Sequence, residues 1–118
     1  MDRAELERRA QPESEGAVRT APPQLSERAF QAQVIAAAEA MGWLCYHTHD
    51  SRRSQPGFPD LIMVRGYRMV ALELKVGRNK PTVDQVRWLA ALREVWRVDA
   101  LVARPDDWDN VMELLKRE

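Results

Sequence analysis

Residues 59–76 read Pro59-Asp60-Leu61-Ile62-Met63-Val64-Arg65-Gly66-Tyr67-Arg68-Met69-Val70-Ala71-Leu72-Glu73-Leu74-Lys75-Val76. Two runs of β-formers, Leu61-Ile62-Met63-Val64 and Met69-Val70-Ala71-Leu72, flank Arg65-Gly66-Tyr67-Arg68, and glycine at the first central position suits a two-residue type II′ turn. The stretch is therefore read as an antiparallel hairpin with Arg65 opposite Arg68. Continuing the same register outward places Asp60 opposite Glu73. Opposed residues have Cβ atoms roughly 4.5–5.5 Å apart, where like charges destabilise the pair. Side chains alternate along a strand, so Lys75 shares a face with Glu73 while Leu72, Leu74 and Val76 turn to the core.

Two acids and one ammonium thus converge at the open end of the hairpin. The trio fits a hard, oxygen-preferring cation, since Mg²⁺ commonly takes one or two carboxylates together with waters and substrate phosphate. In phosphodiester hydrolysis such an ion lowers the pKa of a bound water and stabilises the leaving oxygen, and Lys75 could orient that water or offset phosphate charge. The hairpin alone equally allows a surface ion pair in which Lys75 neutralises its neighbours.

Outward from the hairpin, Ser26 is a plausible N-cap for a helix whose apolar stripe is Phe30, Val34, Ala37, Ala38 and Met41, with Gly42 placed to end it. Trp43-Leu44-Cys45-Tyr46-His47 reads as a strand, and Thr48 to Pro59 as a loop long enough to carry function. On the other side, Thr82 and Gln85 match a capping box for a helix with Gln85, Trp88, Leu89, Leu92 and Trp96 on one face. Val98 to Ala103 is a strand, and Pro105-Asp106-Asp107 opens a last helix with Trp108, Val111, Met112 and Leu115 on its apolar face. The helix from Thr82 is a crossover that predicts a parallel neighbour for the hairpin in a mixed sheet. The class is α/β, in the order α-β-β-β-α-β-α, with Trp43, Tyr46, Trp88, Trp96 and Trp108 read as core.

The chain has 118 residues, 45% hydrophobic and 31% charged, which fits one globular domain. Residues 1–24 hold three of the seven prolines and no aromatic, so they read as a flexible N-terminal segment and the domain as residues 25–118. The longest uncharged runs, Phe30 to Ala38 and Ala40 to Thr48, fall far short of the roughly 20 apolar residues of a membrane helix. The N-terminus has no stretch of signal-peptide type. A membrane partner is not expected, and the protein is expected in the cytoplasm. The lone Cys45 can form neither an internal disulfide nor a multi-cysteine zinc site, and its apolar neighbours read as those of a buried strand thiol. His47 and His49 would share a face if their strand continued, but no third nitrogen or sulfur ligand accompanies them. No glycine-rich phosphate loop and no Ser/His/Asp arrangement is evident.

Lys plus Arg and Asp plus Glu both number 18, giving zero net charge. The zero is uneven. Residues 43–80 hold Arg52, Arg53, Arg65, Arg68, Lys75, Arg78 and Lys80 against Asp50, Asp60 and Glu73, a local excess of bases around the paired acids. Arg52, Arg53, Arg78 and Lys80 are the candidates for sequence-independent phosphate contacts.

Pro59-Asp60 followed by Glu73-Leu74-Lys75 resembles the PD-(D/E)XK nuclease signature. Ser26-Glu27, Gly42-Trp43, Tyr46-His47, Ser51-Arg52-Arg53-Ser54, Gly57-Phe58-Pro59-Asp60-Leu61, Glu73-Leu74-Lys75 and Gln85 resemble, in order, the virus-type replication-repair nuclease (VRR-NUC) branch, over about residues 25 to 108. The resemblance implies a restriction-endonuclease-like core, a mixed sheet flanked by helices. It implies that Asp60 and Glu73 bind Mg²⁺ or Mn²⁺, with Leu74 and Glu27 counted in the metal site. Lys75 would be the catalytic lysine, Glu27 the acid of the first helix, and Gln85 the glutamine of the helix after the lysine strand. First-turn preference explains Glu27 equally well, as the capping box explains Gln85. His47, Ser51, Arg52, Arg53, Ser54, Arg78 and Lys80 would face nucleic acid. Stand-alone members resemble Holliday-junction resolvases and tend to be homodimers, so the resemblance implies a soluble phage- or bacterium-type DNA endonuclease acting on branched DNA. A nuclease indifferent to DNA structure and a non-catalytic nucleic-acid-binding module are the alternatives. The family often has a glycine before the last strand, where this chain reads Glu94-Val95-Trp96-Arg97-Val98.

Overall fold

The computed structural model describes residues 25–48 and 54–118. Its elements are α1 (Glu27–Ala40), β1 (Leu44–His47), β2 (Leu61–Arg65), β3 (Arg68–Leu74), α2 (Val83–Arg93), β4 (Val98–Ala103), a 3₁₀ turn over Pro105–Asp107 and α3 (Trp108–Lys116). The strands form one sheet in the order β1-β2-β3-β4. β1, β2 and β3 pair antiparallel, and the α2 crossover makes β4 parallel to β3. This is the mixed α/β sheet expected from the sequence.

The hairpin register also matches, with Leu61 opposite Leu72 and Arg65 opposite Arg68. Gly66 sits at φ 61°, and Tyr67 is not among the residues with positive φ, the pattern of a type II′ turn. Alternation then sorts the strands. Val70, Leu72 and Leu74 are fully buried with Leu61 and Met63 against Phe30, Val34 and Ala38 of α1 and Val111, Met112, Leu114 and Leu115 of α3. Ala71 and Ala100 turn the other way and pack on Leu89 of α2. Each large apolar side chain so buried contributes about 1.5–3 kcal/mol.

The helix ends follow their caps. Ser26 Oγ accepts the Ala29 N–H at 3.0 Å. Thr82 Oγ1 accepts from Gln85 N at 3.1 Å while Gln85 Oε1 accepts from Thr82 N at 2.8 Å, the reciprocal capping box. Arg97 takes φ 68° in the turn before β4, a left-handed conformation that glycine adopts without steric cost. The left-handed position in the turn before β4 is filled here by arginine.

Four expectations need correction. α2 ends at Arg93, so Trp96 lies past the helix face assigned to it and is 82% exposed, with the Arg97 guanidinium 4.9 Å above its ring. Tyr46 is 63% exposed rather than core, because β1 is an edge strand and the cluster packed on α2 draws on β2, β3 and β4 and not on β1. Arg65 and Arg68, counted in the basic segment, serve the fold. They lie over the Trp43 ring at 4.7 and 5.2 Å; Arg65 donates to Met41 O and Arg117 O, and Arg68 to Leu114 O, Arg117 O and Asp99. Arg68 is buried, and its donors supply the Leu114 and Arg117 carbonyls at the end of α3, where the regular helical ladder runs out. The basic excess around the acids therefore shrinks to five bases against three acids. Cys45, finally, is half-buried rather than buried; burial and then the Glu39 charge push its thiol pKa up.

Candidate active site

The acids meet where the β2–β3 ladder ends. Asp60 closes the loop into β2, and its backbone carbonyl accepts the Thr48 N–H at 3.0 Å, continuing the β1–β2 pairing past His47. Its carboxylate crosses to β3, where Oδ2 accepts the Leu74 N–H at 2.9 Å. That bond holds Asp60 beside Glu73, the position the hairpin register predicts.

The loop itself is clamped from α2. Trp88 Nε1 donates to Pro56 O at 3.1 Å, and Phe58 meets the Trp88 ring edge-on with centroids 5.0 Å apart. Gly57 sits at φ 92°, and a Cβ there would lie 2.5 Å from the Asp84 carbonyl carbon. Only glycine allows so close an approach. These contacts, invisible to a helical-face reading that placed Trp88 in the core, fix the chain three residues before Asp60. The glycine of Gly57-Phe58-Pro59-Asp60 was the signal that could have found them.

Glu73 is 1% exposed and its Oε2 lies 3.4 Å from Lys75 Nζ, itself 13% exposed. Its Oε1 is buried with no hydrogen-bond donor among the described residues. The Asp60 carboxyl stands within hydrogen-bonding range, so a proton shared between the acids would fill the gap; burial first and Asp60 second push Glu73 up to about 8. Lys75 opposes that rise, and its backbone N–H is pinned to Ala103 O at 3.1 Å. Glu27, in the first turn of α1, completes the group: burial and then the Asp60 charge raise its pKa, and Lys75 lowers it. Three carboxylates and one ammonium within electrostatic reach carry a net charge of minus two when ionised, and a divalent cation brings the sum to zero.

The donor chemistry fits that cation. Carboxylate oxygens of Asp60 and Glu73, and a backbone carbonyl such as that of Leu74, would make a hard oxygen set of the kind Mg²⁺ and Mn²⁺ prefer, and the orphaned Glu73 Oε1 is an acceptor available to positive charge. Among the described residues no three His, Cys, Asp or Glu side chains make a ready-formed cage. Waters and a phosphate would complete the shell, as is usual for Mg²⁺.

The other expected site residues sit on the elements around this cluster or in the loop before it. Gln85 Oε1 is committed to the capping box. His47 ends β1 opposite Leu61, one residue before the Thr48–Asp60 bond. Ser54, Arg78 and Lys80 are exposed, the latter two in the turn that follows Lys75. Ser51, Arg52, Arg53, His49 and Asp50 lie outside the described residues.

A mixed four-stranded sheet with helices on both faces and a pair of acids plus lysine at one end of the hairpin defines the restriction-endonuclease-like class. Two solved structures share the fold over most of their length. One, a VRR-NUC domain, is 27% identical with a TM-score of 0.59, covering 74% of this chain and 94% of that one. Another, a VRR-NUC domain protein, is 21% identical at a TM-score of 0.59, covering 77% and 88%. Hjc, a Holliday junction resolvase of the archaeal hyperthermophile Archaeoglobus fulgidus, overlaps more loosely: 20% identity, TM-score 0.48, 64% of this chain and 66% of that one. No family model and no curated protein matches the chain. The fold is that of a VRR-NUC domain.

Proposed function

We propose that the protein is a divalent-metal-dependent DNA endonuclease that hydrolyses phosphodiester bonds, with Asp60 and Glu73 as its metal ligands and Lys75 as its catalytic lysine. The observation that supports this most is Glu73: a wholly buried carboxylate with one oxygen lacking a donor, pressed against Asp60 and 3.4 Å from a mostly buried lysine. A surface ion pair would not bury both members and leave an acceptor unfilled. The VRR-NUC fold makes the same chemistry the natural reading of the trio.

Mg²⁺ or Mn²⁺ held by Asp60, Glu73 and the Leu74 carbonyl would polarise the phosphoryl oxygen and lower the pKa of water. The Leu74 N–H fixes the Asp60 carboxylate so that it meets the cation without rotamer loss. Lys75, tethered through its backbone to β4 and through Nζ to Glu73, places an ammonium where it can orient the attacking water or offset charge on the phosphate. Glu27 stands at the rim of the group as a further acid. Gln85 serves the same site through α2, the helix that clamps the Asp60 loop. Arg78 and Lys80 meet the DNA backbone beyond Lys75, and His47, Ser51, Arg52, Arg53 and Ser54 are the further candidates for contact with it.

Branched DNA is the preferred substrate and a homodimer the working form in this reading, supported by the sequence resemblance. The edge strand β1 exposes Leu44 and Tyr46, at 73% and 63%, with no charge or proline to block pairing, a surface a second copy can cover. No helix among the described residues is long and apolar enough to cross a membrane. Incubation with linear, nicked, forked and four-way duplexes in Mg²⁺, Mn²⁺ or EDTA, with light scattering of the same samples, tests the proposal. Cleavage that needs the metal and favours the four-way substrate, by a dimer, is expected. Equal cleavage of all four removes the structural preference, and metal-independent binding with no cleavage favours a non-catalytic module.

A further inference from the structure

Directly after Lys75 the chain makes a tight turn. Asn79 N donates to Val76 O at 3.2 Å, and Gly77 supplies a left-handed φ of 59°. Residues 77–80 are all exposed, yet the turn is tied to the body of the domain by the side chain of Arg104, the residue just after β4. Arg104 Nη1 donates to Gly77 O at 3.3 Å and Nη2 to Asn79 O at 2.7 Å. A planar guanidinium reaches two carbonyls at once from a fixed fork, which an ammonium on a flexible stem does not reproduce.

Arg104 is itself well fixed. Its N–H donates to Asp107 Oδ2 and its carbonyl accepts from Asp107 N, both at 2.8 Å, across the 3₁₀ turn that Pro105 begins. The preceding residue, Ala103, accepts the Lys75 N–H. The candidate catalytic lysine and the arginine that holds the turn are therefore anchored at adjacent points of the same strand pairing.

The planarity of the peptide group gives this clamp a consequence. In a trans peptide the N–H points opposite to the C=O of the preceding residue, and no cis peptide bond is present. With the carbonyls of Gly77 and Asn79 drawn toward Arg104, the N–H groups of Arg78 and Lys80 point away from it. Backbone N–H groups aligned toward one side, beside two cationic side chains, are the elements of an anion-binding concavity.

We infer that Arg104 is a positioning residue that holds the Val76–Lys80 turn so that the N–H groups and side chains of Arg78 and Lys80 face a DNA phosphate next to Lys75. The inference rests on the nuclease reading above and adds to it the residue that shapes the contact. Arg104 acts through the turn and not by touching DNA.

Equilibrium binding of a fluorescently labelled 20-base-pair duplex to the full chain in EDTA, across a range of NaCl, tests this. Arg78→Ala/Lys80→Ala should lower the magnitude of the log K against log salt slope by about two, near 0.9 per lost phosphate contact. Arg104→Ala and Arg104→Lys should each weaken binding severalfold and lower the slope by roughly one to two, although lysine keeps the charge. In the Arg78→Ala/Lys80→Ala background Arg104→Ala should leave the slope where it is. Melting temperatures of the variants separate a released turn from an unfolded domain. Wild-type affinity and slope in Arg104→Lys would overturn the inference, as would a further fall in slope when Arg104 is removed from the double-variant background, since Arg104 would then touch phosphate itself. Metal-dependent cleavage together with DNA affinity insensitive to Arg78 and Lys80 overturns the role of the turn and leaves the nuclease standing, whereas a wild-type chain with no affinity for DNA overturns both.

Discussion

Without a divalent cation, the domain should lose stability as pH rises through neutrality, and Glu73→Gln should abolish that loss. Burial and the neighbouring Asp60 lift Glu73 from 4.5 to about 8. Between those values the folded chain holds a proton that the unfolded chain has released. The folded state binds more protons, so the unfolding free energy falls as pH rises; the contribution is fully present below the ordinary carboxylate pKa and gone above the raised one. The slope approaches about 1.4 kcal/mol per pH unit and flattens as Glu73 nears half-ionisation at about 8, so the step from pH 6 to pH 8 removes roughly 2 kcal/mol. For a domain of this size that is on the order of 10 °C in Tm. Glutamine keeps the shape and cannot ionise. Urea midpoints of both proteins in EDTA at three pH values across this window provide the assay. Wild type should fall relative to Glu73→Gln as pH rises, and Mg²⁺ should restore more stability to wild type at the higher pH, because its ligands must be deprotonated to bind. Parallel pH profiles in EDTA would refute the reasoning: Glu73 would then be an ordinary ionised carboxylate satisfied by Lys75.

Gly57→Ala places a methyl 2.5 Å from the Asp84 backbone at a φ of 92°; it should cost roughly 2–3 kcal/mol by chemical denaturation and weaken metal binding, because the loop carries Asp60. Arg68→Ala strips donors from Leu114 O, Arg117 O and Asp99 and should cost about 2–4 kcal/mol, while the salt dependence of DNA binding stays that of wild type. Thr82→Ala and Gln85→Ala each break the α2 capping box and should lower stability by about 1 kcal/mol, read from the urea midpoint.

Local chemistry made much of this architecture legible. Gly66 at the first central position of a two-residue turn sets the hairpin register, and the register alone brings Asp60 to Glu73. Ser26 and the Thr82–Gln85 pair mark where helices begin because caps are satisfied by the residues next to them. What stayed hidden depends on distant partners. Arg65 and Arg68 look like surface charge until Leu114 and Arg117, 46 to 52 positions away, supply carbonyls for them. Trp96 continues a helical stripe on paper, but α2 stops three residues earlier. Tyr46 alternates as a core strand residue should, and alternation does not say that the last strand of a sheet has one uncovered face. The burial of Glu73, at 1% exposure, depends on how the rest of the chain packs around the end of the sheet and is not written in the hairpin.

If Asp60, Glu73 and Lys75 form a metal-dependent phosphodiesterase centre, cleavage of supercoiled plasmid by wild type, Asp60→Asn and Lys75→Ala in Mg²⁺ and in EDTA will show it. Wild type should nick or linearise the plasmid in Mg²⁺ alone, with each variant slowed by about 100-fold or more. Cleavage that persists in EDTA, or variants as fast as wild type, would contradict that assignment.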